Sequence, residues 1–233
     1  MQKYALGFIG TGETKNMKVT LRQKAFEEIR RRIIGFEIMP GEKLSDKEIA
    51  TELGVGRTPV REALLILERE KLVQCKGKRG YFVNKLTRKE VDDYLSIRAV
   101  LETHSVPLII ANTTPAILDQ LKNNIRRSAM HAKRGSIREI ANCNDEFHDI
   151  LYRATGSETL VDIMSSLADK FHWLRSMVLT ADEEAPQEGL DDHRQIVEAV
   201  SRKSKKDLKN AFLRHFRHTK LKYLKIARLF PPA

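Results

Sequence analysis

The chain has 233 residues and a formal net charge of +11, a length that allows two domains with a core each and a basicity that fits a nucleic acid, a membrane surface or another polyanion as partner. Its two cysteines, Cys75 and Cys143, stand far apart with no CxxC spacing, which excludes a disulfide framework and a thiolate metal centre and points to a reducing compartment, expected to be the cytoplasm. No apolar run approaches the roughly 18 residues that cross a membrane, so no membrane partner is expected.

Residues 1 to 16 read as an over-extended start or a flexible arm. The apolar part of Gln2 to Thr14 is too short for a signal peptide. Gly7-Phe8-Ile9-Gly10-Thr11-Gly12 has the look of a dinucleotide-binding glycine loop, but it lacks room for a preceding strand and leads into no βαβ unit, so it is set aside.

From Leu21 to Gly35, the residues Leu21, Ala25, Ile29 and Ile33 recur at near-helical spacing, and Met39-Pro40-Gly41 predicts a turn after them. Ser45 is an N-cap candidate with Glu48 three residues on, a capping-box pattern ahead of a short helix through Ile49, Ala50 and Leu53. Gly54 and Gly56 permit a sharp reversal, with Val55 between them to plug the angle between two helices. Pro59 is tolerated in a first helical turn, where its missing N–H would be unpaired anyway. Val60, Ala63, Leu64 and Leu67 then form one apolar stripe, while Arg57 and Arg61 lie one turn apart on the other side. Two guanidiniums at the start of a helix suit phosphate and the O6/N7 edge of guanine. A solvated charged face is the plain alternative, and the pair alone does not decide between them. Leu72-Val73-Gln74-Cys75 and Tyr81-Phe82-Val83 read as strands joined by a basic hairpin, Lys76-Gly77-Lys78-Arg79-Gly80. Helix, helix, turn, helix and hairpin predict a winged helix-turn-helix over residues 17 to 84, its cationic tip placed for phosphate or the minor groove.

After Thr87 the strand signals vanish and helix periodicity takes over in about six segments, 88–111, 114–133, 136–154, 157–180, 189–202 and 204–229. The fold expected is therefore mainly α, a winged helix-turn-helix followed by an all-α bundle over residues 88 to 229. Ala181-Asp182-Glu183-Glu184-Ala185-Pro186 reads as its one substantial loop. Residues 199 to 228 hold eleven Lys/Arg against one Asp/Glu, a run read as a solvated helix face and not as a second nucleic-acid surface. Asn144 and His148, at i,i+4, share a helix face, while His193 and His215 fall on the last two helices. Four such groups on three helices suit one metal ion, and buried histidines satisfied within a core are the alternative left open by spacing alone.

Residues 20 to 84 resemble the DNA-binding domain of the GntR family of bacterial transcription regulators. The matching stretches are Ile38-Met39-Pro40-Gly41-Glu42-Lys43-Leu44, then Ser45-Asp46-Lys47-Glu48-Ile49-Ala50, then Leu53 to Leu64, then Leu67-Glu68 and the wing. The resemblance implies DNA contacts at Lys47, Arg57, Thr58 and Arg61, and at Gly77, Lys78 and Arg79 in the wing. Position 47 is often arginine in that family, so Lys47 gives up a bidentate fork. Position 56 is more often serine or threonine, so Gly56 removes a hydroxyl that can cap the helix or reach a phosphate.

Residues 88 to 228 resemble FCD, the helical effector domain of the FadR subfamily. The shared features are Ile97-Arg98-Ala99-Val100-Leu101-Glu102, Phe147-His148 with Ala154-Thr155-Gly156, Asp192-His193, and Ala211 to His215. The resemblance implies a divalent cation, zinc or similar, at Asn144, His148, His193 and His215, with Asn144 standing where the subfamily carries an aspartate. Asp145 points about 100° away around the helix and is a poor substitute. The open coordination positions would suit a small organic acid, with Arg98 as its bidentate partner, Glu102 orienting Arg98, and Arg175 as a second candidate that reads equally as a surface arginine. His104, His131, His172 and His218 are given no role.

Open positions on a metal also raise the possibility of a metal-dependent enzyme, but no general base of HExxH type, nucleophile constellation or phosphate loop accompanies the histidines. A nonspecific architectural DNA-binding protein is the other alternative. The expectation is instead a ligand-responsive DNA-binding repressor, released by a small carboxylate effector, acting as a homodimer on an operator with two-fold symmetry. Effector, operator and regulated genes are not legible.

Overall fold

The computed structural model describes residues 20–85 and 87–226; the N-terminal arm expected over residues 1 to 16 lies outside them. Thr20 caps the first helix, α1 (Leu21–Ile34), by accepting from Gln23 N, and Ala25, Ile29, Ile33 and Ile34 form its buried side. Ser45 opens α2 (Asp46–Leu53) by accepting from Glu48 N at 3.3 Å. Gly54 closes that helix in the left-handed region at φ 63°, a conformation a side chain would strain. The chain then reverses into α3 (Arg57–Arg69), which buries Val60, Ala63, Leu64 and Leu67 as its periodicity requires.

The wing is a three-stranded sheet where the sequence showed only a hairpin. Between β2 (Val73–Cys75) and β3 (Tyr81–Val83) the basic tip forms a single 3₁₀ turn, Gly77–Arg79, with Gly77 and Gly80 both at positive φ. The third strand, β1 (Lys43–Leu44), pairs antiparallel with β3, Lys43 opposite Phe82 and Leu44 opposite Tyr81. Two residues carry too little alternation to read as a strand; the edge offered by β3 makes them one.

Among the described residues six helices follow: α4 (Arg88–Asn112), α5 (Pro115–Lys133), α6 (Ile137–Ala154), α7 (Glu158–Ala181), α8 (Ala185–Ser201) and α9 (Lys205–Ile226). A complete two-way capping box, Thr87 with Glu90, opens α4. The loop expected over 181–186 is much shorter, because Ala185 and Pro186 belong to the first turn of α8, where proline loses no hydrogen bond. The chain turns within Asp182–Glu184, with Asp182 Oδ1 accepting from Glu184 N. Within the bundle α4 packs on α9 and α6, α7 on α6, and α8 on α9 and α5.

One apolar core runs from the N-terminal elements into the bundle. Ile29, Leu64, Leu67 and Leu72 belong to the same cluster as Val91, Leu95, Trp173 and Met177. A second core, around Ile109, Phe147, Leu151, Ile196, Phe212 and Phe216, holds α4, α6, α8 and α9 together. The buried stripe of α4 runs Val91, Leu95, Arg98, Glu102, Val106 and Ile109, so helical spacing alone carries an arginine and a glutamate into the interior.

Candidate nucleic-acid interface and metal centre

The apolar stripe of α3 fixes that helix to its core and leaves Arg57, Thr58 and Arg61 exposed on the opposite side. Lys47, in the first turn of α2, is exposed as well. One carboxylate organises the two arginines: Asp46 accepts from Arg57 Nη2 at 3.0 and 3.1 Å and from Arg61 Nε at 2.5 Å. Burial alone would raise the Asp46 carboxyl, but the bonds from Arg61 and Arg57 outweigh it and hold the group ionised. The sequence reading missed Asp46. Its signal was an acid at the first position of a helix, eleven and fifteen residues ahead of the two arginines. Gly77, Lys78 and Arg79 are exposed at the wing tip, and Lys76 lies 5.2 Å over the Phe82 ring, packing the base of the wing. Glu68 ties that wing to α3 by accepting from Cys75 N at 2.9 Å.

Inside the bundle, His148 from α6, His193 from α8 and His215 from α9 converge. Their ring centroids stand 5.2 to 5.4 Å apart, and one nitrogen from each lies within 4.8 Å of the others. Phe147 stacks on His193 at 3.9 Å and fixes its plane. All three imidazoles are neutral at ordinary pH. Burial, with Arg98 nearby, lowers His148 to about 3. Burial also holds His193 well below its ordinary value, and lowers His215 although Asp192 works the other way. Neutral imidazole is the form that binds a metal.

The cluster leaves polar atoms without partners. His148 Nε2, His193 Nε2 and Asn144 Oδ1 are all buried with no hydrogen bond, each at a cost of about 1–3 kcal/mol. A cation at the cluster would satisfy the histidine nitrogens, and Asn144 lines the same cavity as His215, so the residues present fit a divalent ion. The Nδ1 atoms of His148 and His215 face carboxylates, as outer partners of metal ligands do. His148 Nδ1 is 3.2 Å from Glu102 Oε1, close but poorly aligned, and His215 Nδ1 is 3.4 Å from Asp192 Oδ2. Asn144 and His215 line a cavity of about 60 Å³ together with Arg98 and Arg175, room on the order of four waters.

Arg98 is 5% exposed and Glu102 2%. Glu102 Oε1 accepts from Arg98 Nε at 2.8 Å and from Tyr152 OH at 2.5 Å, while Phe171 and Phe216 flank the guanidinium at 4.9 and 5.8 Å. Burial would push the Glu102 carboxyl up, but Arg98 and His148 hold it well below the usual carboxylate range. Arg98 Nη2 is left buried without a partner.

Arg175 is an interior residue, its side chain only 10% exposed, which corrects its reading as an ordinary surface arginine. Its partner is Asp145, which turns away from the histidines, as its helical angle requires, and bonds both Arg175 and His172 on α7. Despite burial, Arg175 and His172 lower the Asp145 carboxyl to about 2. His172 and His218 thus have partners the sequence did not reveal. His218 Nδ1 contacts Asp192 at 3.0 Å, beside Arg214 Nε at 3.2 Å. Tyr152 was missed outright, and the pairings of Asp145 and Asp192 were not legible, because their partners lie on other helices.

The signature of bacterial regulatory proteins of the gntR family matches residues 21–83, and that of the FCD domain matches residues 93–218. The chain belongs to the GntR family. A Streptomyces ambofaciens relative, an uncharacterized HTH-type transcriptional regulator in an unstable DNA locus, is 32% identical over 78% of this chain and 76% of its own. The HTH-type transcriptional repressor RspR of Escherichia coli is 27% identical over 88% of this chain and 90% of its own. Among solved structures, E. coli McbR/YncC superposes with a TM-score of 0.73 at 21% identity, covering 89% of this chain and 99% of that one, a likeness of fold alone. GntR proteins are transcription regulators and not enzymes, and this chain is a DNA-binding regulator of that kind. No helix among the described residues is long and apolar enough to cross a membrane.

Proposed function

We propose that this GntR regulator is a cytoplasmic homodimeric repressor whose hold on a two-fold symmetric operator is released by a small organic acid bound beside a divalent ion. The observation that carries the reading is the pairing, in one chain, of two exposed arginines aligned by Asp46 with a buried histidine cluster whose donor atoms lack partners. Arg57 and Arg61 read bases, Thr58 and Lys47 contact the backbone, and Gly77, Lys78 and Arg79 bring the wing against phosphate or the minor groove. His148, His193, His215 and Asn144 hold the ion, which when bound offers open positions to an anion. Arg98 receives the acid through its unpartnered Nη2, Glu102 orients Arg98, and Arg175 flanks the cavity.

A second copy is supported by α4, where Ile97, Val100 and Leu108 stand 47%, 66% and 42% exposed in a row at helical spacing with His104 between them. Two α3 helices on one dimer match paired half-sites. The cavity reaches the DNA-binding elements through α7. Asp169 accepts from Arg30 Nε at 2.7 Å and Lys170 Nζ donates to Glu70 O at 2.7 Å, a few residues before Phe171 and Arg175 line the cavity. By linkage, acid and DNA change each other's affinity by the same factor.

Selection of bound sequences from a random DNA pool, followed by competition with unrelated DNA at fixed salt, tests the DNA half. A repeated half-site with affinity at least about a hundredfold above unrelated DNA is expected. Equal affinity for all sequences would mean an architectural binder instead. A thermal-shift screen of small organic acids, with and without zinc, tests the other half, since a ligand of the native state raises its apparent stability.

A further inference from the structure

The candidate ion ligands carry no charge among them: three neutral histidines and the carbonyl of Asn144. Nearby carboxylates are already balanced. Glu102 is matched by Arg98, Asp145 by Arg175, and Asp192 faces Arg214 and His218. Glu102 and Asp145 together cancel the two arginines that line the cavity, and the carboxylates that line it, Asp192 and Glu188, are paired with Arg214 and Lys222, so none is left unpaired to neutralise an ion of charge +2. Unlike charges in low dielectric attract strongly and unbalanced ones are costly. Arg98 Nη2, buried without a partner, gives an incoming carboxylate a second contact on the protein.

We propose that Asn144 makes ion binding in this chain conditional on an anion: a divalent cation and a carboxylate occupy the cavity as one unit, each held weakly without the other. The carboxylate supplies the negative charge that Asn144 lacks, and the ion gives it a partner besides Arg98. The signal recognised is then neither the acid nor the metal singly. This inference rests on the metal reading above.

The test uses the full chain stripped of metal by a chelator, at neutral pH in a buffer free of carboxylate, phosphate and chloride. Zinc affinity is measured by competition with a chromophoric chelator, with and without acetate, in the native protein and in Asn144→Asp and His148→Ala. Acetate is expected to tighten zinc binding to the native protein by at least about tenfold, about 1.4 kcal/mol. Asn144→Asp, nearly isosteric, is expected to bind zinc tightly without acetate and to gain less than about threefold from it, under about 0.7 kcal/mol. The reciprocal measurement, acetate affinity with and without zinc, must show the same factor as the first. Equal zinc affinity with and without acetate in the native protein overturns the coupling and leaves the metal reading standing. An acetate requirement in Asn144→Asp as large as in the native protein overturns the role of Asn144. Zinc taken up equally by His148→Ala, or by the native protein in neither condition, overturns the metal reading and the coupling with it.

Discussion

The DNA-binding elements and the helical bundle each pair guanidiniums with carboxylates, and the two settings give that chemistry opposite meanings. Arg57 and Arg61 share Asp46 at the surface, their side chains 55% and 60% exposed. Solvent makes such pairs worth little, about 0–1 kcal/mol, so the arginines are aligned but free to exchange Asp46 for a base edge or phosphate. Arg98 with Glu102 lies in the interior, where removing one partner strands a buried charge, and Arg175 with Asp145 is partly buried. The first arrangement presents two cations to a polyanion. The second holds two cations against carboxylates inside the bundle, where both line one cavity.

Breaking the inner pair should produce the largest effect. Glu102→Ala strands Arg98 and removes the acceptor of Tyr152, so chemical denaturation should show a loss of about 3–5 kcal/mol. A loss below about 1 kcal/mol would mean that the pair is as well solvated as the one at the surface. Replacing both Arg57 and Arg61 by alanine should leave thermal unfolding nearly unchanged while costing roughly 1–3 kcal/mol of operator discrimination for each arginine, read from specific against nonspecific affinity. Survival of sequence-specific binding would remove α3 from its proposed role.

Acid should separate the two regions next. His148 has a folded value lowered to about 3 against roughly 6.5 when unfolded. The unfolded state therefore binds more protons between those values, so stability is fully present above about 6.5 and falls as pH drops toward 3, by up to about 1.4 kcal/mol per pH unit for each such histidine. His193 and His215 shift in the same direction. Denaturation midpoints from pH 7 to 5 should fall in the native protein and fall less in His148→Phe. A flat profile would show the cluster to be solvated. The smallest effect is expected at Asp46→Asn, within about 1 kcal/mol of native stability. Its readout is operator preference, which should broaden because Arg57 and Arg61 lose their common anchor.

Local spacing made much of the fold legible. The apolar stripe of α3, the cap at Ser45 and the six helical segments of the bundle all follow from neighbours within a turn or two of chain. Errors came where a partner far along the sequence intervened. Strand β1 exists because β3 offers it an edge, and Pro186 begins α8 where composition alone suggested a loop. In the candidate sites the same division holds. Asn144 and His148 share a face by helical geometry, but Asp145 acquires its function only from His172 and Arg175 on α7.

The sequence by itself determined the kind of protein, since turn glycines, a first-turn proline, paired arginines and a basic wing act over short spans and impose their geometry locally. Tertiary packing alone decided which charges meet. Asp46 across the α2–α3 turn, Asp145 between α6 and α7, and His148, His193 and His215 from three helices are brought together by burial of the cores around them. The strength of each of those contacts is set by how far that packing shuts out water, a property of the assembled fold and of no single segment.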